Sequence, residues 1–202
     1  AGTQSPGPTG PGDAFAPPSM EALPDHDPAR FTEKMQFAWL LTEQSFQLAP
    51  PHPPPAGGSH REVEQWSESE LRRWLEQKNA LVEAARSELN VAAEENHRQR
   101  VWAGALVGLM YEDLARILLN VPVPRELATE PDIATIYREI VQSQATPYLD
   151  HAKRAYRACH LNGRRRAGLR AWSGFCEDRR TNLPAQDHEP GDGGTTVEVI
   201  RE

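Results

Sequence analysis

Apolar residues recur along most of this chain at helical spacing. Phe31, Met35, Ala38, Trp39, Thr42 and Phe46 form a broad stripe on one helical face. Asp27 and Pro28 supply cap and first-turn chemistry for a helix over 28–49. A second start signal is the pair Ser67 and Glu70, a capping box preceded by Trp66, which can staple onto Leu71. Leu71, Trp74, Leu75, Leu81, Val82, Ala85 and Leu89 continue that apolar side. No proline occurs between Ser67 and Val121, so one very long helix or two are expected, with Asn96–Arg100 the best place for a break. A further stripe follows in Trp102, Leu106, Leu109, Met110, Leu114, Ile117, Leu118 and Val121, with Gly104 and Gly108 four apart on one face to admit a close neighbour.

Pro122 and Pro124 end that stripe. Thr129 and Asp132 then predict a helix with Ile133, Ile136, Tyr137, Ile140 and Val141 on its buried side. Thr146 and Pro147 read as the cap and first position of another, carrying Leu149, Ala152, Tyr156 and Cys159 and stopping at Asn162–Gly163. A last helix is expected from about Leu169 to Leu183, including Trp172, Phe175 and Cys176. Val197 and Val199 alternate as in a short strand, but a frayed end is the expectation there. The fold class is therefore all-α, antiparallel helical hairpins of a bundle or tetratricopeptide-like kind.

Composition changes this picture at the ends. Of 18 prolines in 202 residues, 12 fall within the first 60. Seven prolines and four glycines in the first 30 positions bury too little surface to offset chain entropy. The expected organisation is a disordered arm over 1–27, a separate amphipathic helix over 28–49, a Pro-rich linker over 50–65, a helical domain over 66–183 and a flexible polar tail over 184–202. The linker leaves the first helix able to dock on the body or on another protein, and Phe31, Met35, Trp39 and Phe46 are its candidate partner-binding residues. No stretch is long and apolar enough to span a membrane, and no signal-peptide pattern is present in this sequence.

Candidate chemistry is sparse. The seven histidines show no metal-ligand spacing, and Glu94 and Glu95 beside His97 point in different directions on a helix, so no metal, cofactor or catalytic residue is expected. Cys159 and Cys176 lack C-x-x-C spacing, which leaves a disulfide or two buried thiols. The bridge fits only if Asn162–Gly168 is an extended loop and the last helix starts near Leu169. If bridged, the protein belongs outside a reducing cytosol; free thiols would suit the cytoplasm.

Charge is partitioned. Residues 151–180 hold nine Lys/Arg against two acids (+7), leaving thirteen against twenty-seven (−14) elsewhere in a chain of net charge −7. Arg164, Arg165, Arg166 and Arg170 are candidates to hold an acidic partner or ligand, whether a protein, the chain's own acidic segments or a small anion. The net charge and the lack of interleaved aromatics disfavour nucleic acid.

The run Tyr111–Ala115, then Pro122 and Pro124, Tyr137, Ala145-Thr146-Pro147, Ala152, Tyr156, Cys159, Trp172 and Cys176 is similar to the closing helices of tetratricopeptide-type proteins of myxobacterial envelopes. Ala152, Tyr156 and Cys159 echo one half of a tetratricopeptide repeat, while the W-x2-L-G-x2-Y half does not precede them, and no period of about 34 residues appears elsewhere. The resemblance implies a scaffold or adaptor in a cell-envelope assembly, without catalysis. A helical domain that binds an anion or small molecule through its basic segment is the alternative.

Overall fold

A computed structural model describes residues 17–55 and 58–184, and among these there are helices and no strand. The expected arm and tail fall largely on residues 1–16 and 185–202, which lie outside the described residues, as does the Thr195–Ile200 segment. The part of the arm that is described carries a one-turn 3-10 helix, Met20–Ala22, capped by the Ser19 side chain.

Asp27 and Pro28 do open a helical turn, but a single 3-10 turn, Pro28–Arg30. The first long helix, α1 (Glu33–Gln47), starts later, where the Thr32 hydroxyl accepts from the Met35 amide at 3.2 Å. The next start also differs from the sequence expectation. Helix α2 (His60–Trp66) begins with Ser59 and Glu62 forming a complete capping box, inside the stretch read as linker. Ser67 is then no cap: its hydroxyl donates to the Glu64 carbonyl at 2.9 Å, and the chain passes through a π turn, Ser67–Leu71, into α3 (Arg72–Glu95). The Ser59 box wins because Gly58 and the prolines before it cannot propagate a helix, whereas nothing around Trp66 interrupts one.

The expected break within 67–121 falls at Asn96, whose extended backbone ends α3 and whose side chain accepts from the Arg98 and Gln99 amides to start α4 (His97–Leu119). Residues 101–112 of α4 are all buried. A helix enclosed on every side needs apolar residues around its whole circumference, and the run VWAGALVGLMY provides them. Helix α1 packs on α3, with Ser45 and Leu48 at its end beside Trp74 and Lys78 near the start of α3, and it also touches α4. The aromatic helix read as separate is thus docked on the chain's own body. Met35 and Trp39 are buried, and Phe31 rests edge-on against Trp102 with ring centroids 5.0 Å apart.

After the short α5 (Arg125–Ala128), α6 (Pro131–Gly163) runs 33 residues antiparallel to α4. The pair Thr146 and Pro147 does not start a new helix. Pro147 is exposed, the Thr146 hydroxyl donates to the Gln142 carbonyl at 3.0 Å, and Ala145 and Leu149 on either side pack with Ala115 and Leu118 of α4. Those contacts hold both halves of α6 in line despite the missing proline N–H. Ile133, Ile136 and Ile140, expected inside, lie outside; the small Ala134 is the inward residue of that first half. Finally a 3-10 turn, Ala167–Leu169, leads into α7 (Arg170–Thr181), which folds back against α6 and α4.

Close approach of α4 and α6 depends on the two glycines. A Cβ on Gly104 would meet the Cys159 Cβ at 3.1 Å, and one on Gly108 would run into the Tyr156 ring. Gly108→Ala should therefore cost at least the ~1–3 kcal/mol of an overpacked core. Gly174→Ala, on α7 with open space around it, should stabilise by up to ~1 kcal/mol through helix propensity. Denaturant unfolding of the two variants should shift in opposite directions.

Candidate functional site

The polar residues inside the bundle are structural knots. Glu112, fully buried on α4, accepts from Arg179 of α7 through Nε at 3.0 Å and a terminal nitrogen at 2.6 Å, from Tyr156 of α6 at 2.8 Å and from Arg116 at 2.8 Å. Three helices thereby converge on one carboxylate. Burial, and next the Glu112 charge, hold the Tyr156 hydroxyl well above the ordinary phenol range, so it stays a donor. A second knot joins α1, α3 and α4. Lys78 is 1 % exposed, pairs with Asp113 at 2.7 Å and donates to the Ser45 carbonyl. Its ammonium lies 5.2 Å from the centre of the Phe46 ring, so Phe46 faces a cation of its own chain rather than a partner. Burial raises the Asp113 carboxyl, and the Lys78 charge opposes that shift.

Among the described residues the histidines are dispersed. His26 stacks among Phe31, Trp39 and Trp172; His97 meets the Asn162 carbonyl at 2.6 Å; His160 sits beside Ser173. Glu94 and Glu95 are exposed, and the break at Asn96 separates them from His97. Among the described residues no group of three or more His, Cys, Asp or Glu is placed to hold a metal ion.

Cys159 and Cys176 are bridged, with Cα atoms 6.1 Å apart. The register works because α6 ends at Gly163, whose missing side chain lets Ser173 approach, and because α7 begins only at Arg170 after the Arg164–Leu169 connection. The last helix starts where the spacing requires, but the connection is shorter than the extended Asn162–Gly168 loop expected, since Asn162 and Gly163 stay in α6 and Ala167–Leu169 form a 3-10 turn.

The four arginines divide differently from Phe31, Met35, Trp39 and Phe46, which all face inward. Arg164, Arg165, Arg166 and Arg170 are exposed. Arg164 and Arg165 line an open groove of about 560 Å³ with Arg154, Arg157, Ala158 and Leu161; Arg166 and Arg170 lie outside it. No acidic residue lines this groove. At its edge His151 is held below its usual range by burial first and then by Arg154 and Arg86, so the neutral ring stacks on Tyr111 at 4.7 Å.

The outward side of α6 carries what the sequence reading missed. Ile133, Ile136 and Ile140 are 39, 55 and 56 % exposed. Ile136 and Arg154 are eighteen residues apart, about five helical turns, as are Ile140 and Ala158, so the isoleucines and the groove share one side of α6. The signal was present in that spacing, but it becomes visible only when α6 is read through Pro147. A second exposed apolar pair, Phe37 and Leu40, lies on α1.

No protein-family model matches the chain, and neither a curated protein nor a solved structure is significantly similar to it.

Arg179→Met should lower stability by ~1.5–3 kcal/mol, because it removes two charge-assisted hydrogen bonds from a fully buried carboxylate and leaves it to Arg116 and Tyr156; chemical denaturation measures it. Reducing the bridge, which closes a loop of 17 residues, should lower stability by about 3 kcal/mol, and the unreduced chain should weigh two hydrogens less than the reduced one.

Proposed function

We propose that this chain is a non-catalytic helical adaptor that joins partner proteins within a larger assembly of the cell envelope or another exported setting. The observation that carries the reading is the isoleucine row on α6. Ile136 and Ile140 are each more than half exposed on a face that the bundle leaves open. Fully covering an exposed isoleucine is worth about 1.5–3 kcal/mol, and Ile133, Ile136 and Ile140, at 39, 55 and 56 % exposed, together leave about one and a half such units for a partner laid along this face. Phe37 and Leu40 on α1 supply a second apolar contact. The Cys159–Cys176 bridge supports an oxidising compartment, in keeping with the envelope setting that the tetratricopeptide-type resemblance implies. Among the described residues no helix is long and apolar enough to cross a membrane.

The alternative, a helical domain that holds a small anion, is favoured by the arginine-lined groove. Its place on the same side of α6 as the isoleucine row favours a polypeptide ligand instead.

The double variant Ile136→Glu/Ile140→Glu tests the adaptor reading. Both positions face solvent, so its melting temperature should stay within a few degrees of the parent's. Native mass spectrometry of the protein isolated from its host should show a stoichiometric partner that the variant loses at least tenfold. A parent chain that is an uncomplexed monomer in every fraction would overturn the reading.

A further inference from the structure

Most arginines near the inner faces of the bundle already have carboxylate partners. Arg179 and Arg116 hold Glu112, Arg180 holds Glu177, and Arg86 holds Glu83. Arg154, Arg157, Arg164 and Arg165 form no ion pair with any described residue, yet they gather around one groove with no acid in its lining. In a chain of net charge −7, four guanidinium groups without a carboxylate partner among the described residues concentrate positive potential at one concavity. Their forked donors match carboxylates two bonds at a time. We propose that this groove seats an acidic peptide segment of the partner protein, one whose neighbouring apolar residues cover Ile133, Ile136 and Ile140. The proposal rests on the adaptor reading and names the chemistry of its partner.

Geometry selects a peptide over a compact anion. Arg154 and Arg164 are ten residues apart on α6 and the turn after it, about 15 Å along the helix axis. One tetrahedral anion cannot reach both ends, whereas four or five extended residues at ~3.3 Å each can. Ala158 and Leu161 give the groove an apolar floor for the methylene stems of Glu side chains. Nucleic acid fits less well, because no aromatic side chain lines the groove for base stacking. The isoleucine row lies about 27 Å away on the same side of α6, so the matching partner segment is apolar at one end and acidic at the other.

The test is fluorescence anisotropy of the full chain with a labelled octapeptide of alternating Glu and Ser, against the same peptide with Gln for Glu. The Glu peptide should bind at least tenfold more tightly. Arg157→Glu/Arg164→Glu should weaken it at least tenfold, while Arg72→Glu/Arg73→Glu changes binding less than twofold. The second pair alters net charge equally at exposed positions on α3, and both variants should melt with the parent. Absence of Glu-peptide binding, or equal weakening by both variants, would overturn the proposal. So would tighter binding of tripolyphosphate, of phosphatidylglycerol vesicles or of single-stranded DNA than of the peptide. In complexes isolated from the host, a partner retained by Arg157→Glu/Arg164→Glu but lost by Ile136→Glu/Ile140→Glu removes the acidic-segment proposal and leaves the adaptor standing. A parent with no partner at all removes the adaptor itself.

Discussion

A carboxylate that cannot reach water sets the arrangement of this bundle. Glu112 belongs to a helix whose residues 101–112 are enclosed on all sides, so beyond Arg116 on its own helix its charge must be met from neighbouring ones. Arg179 and Tyr156 meet it, which fixes where α7 and α6 stand against α4. The same position of α6 requires Gly104 and Gly108, since a side chain at Gly108 would occupy the Tyr156 ring. Lys78 and Asp113, one residue along from Glu112, fix α3 and α1 in the same manner on the other side. Apolar burial drives the association, and the two ion clusters select one register among the many that greasy helices allow.

Much of this architecture was legible in the residues. The stripes at 71–93 and 102–121, the break near Asn96, the stop at Gly163 and the conditions for a Cys159–Cys176 bridge all follow from spacing and end chemistry. The misreadings have two physical sources. Side-chain signals near helix starts were overruled by neighbours, as when Ser59 displaced Ser67 and when the Ala145 and Leu149 contacts carried α6 through Pro147. Apolar periodicity also cannot say whether a face meets the same chain or another. It left Phe31, Met35, Trp39 and Phe46 able to meet either the body or a partner, and they pack in cis; it put Ile133, Ile136 and Ile140 inside, where they face solvent. The site was half visible. Arg164 and Arg165 stood out as a cluster, while Arg154 and Arg157 gained meaning only when one continuous α6 brought them into the same groove.

The long helix also unites what the sequence divides into pieces. Its inner side is mostly small, Ala134, Ala145, Ala152, Ala155 and Cys159, with Leu149 and Tyr156 the large exceptions and Gly108 of α4 making room for the Tyr156 ring. Its outer side then has room for a row of large apolar groups followed by a row of cations. A surface of that kind discriminates by length and polarity as well as by composition, because a partner reversed end to end would set acids against isoleucine.

The bridge at Cys159 has a mechanical meaning as well. It lies one residue from Ala158 in the floor of the basic groove, so a pull on that end of α6 passes into α7 through a covalent bond. The isoleucine end is held by Ala134, Ala145, Leu149, the short α5 and a hydrogen bond from Tyr137 to the Pro122 carbonyl, none of them covalent. Under tension the two ends of the same helix would yield unequally. The isoleucine half would peel first, and the arginine half would hold until the α6–α7 pair came away as a unit.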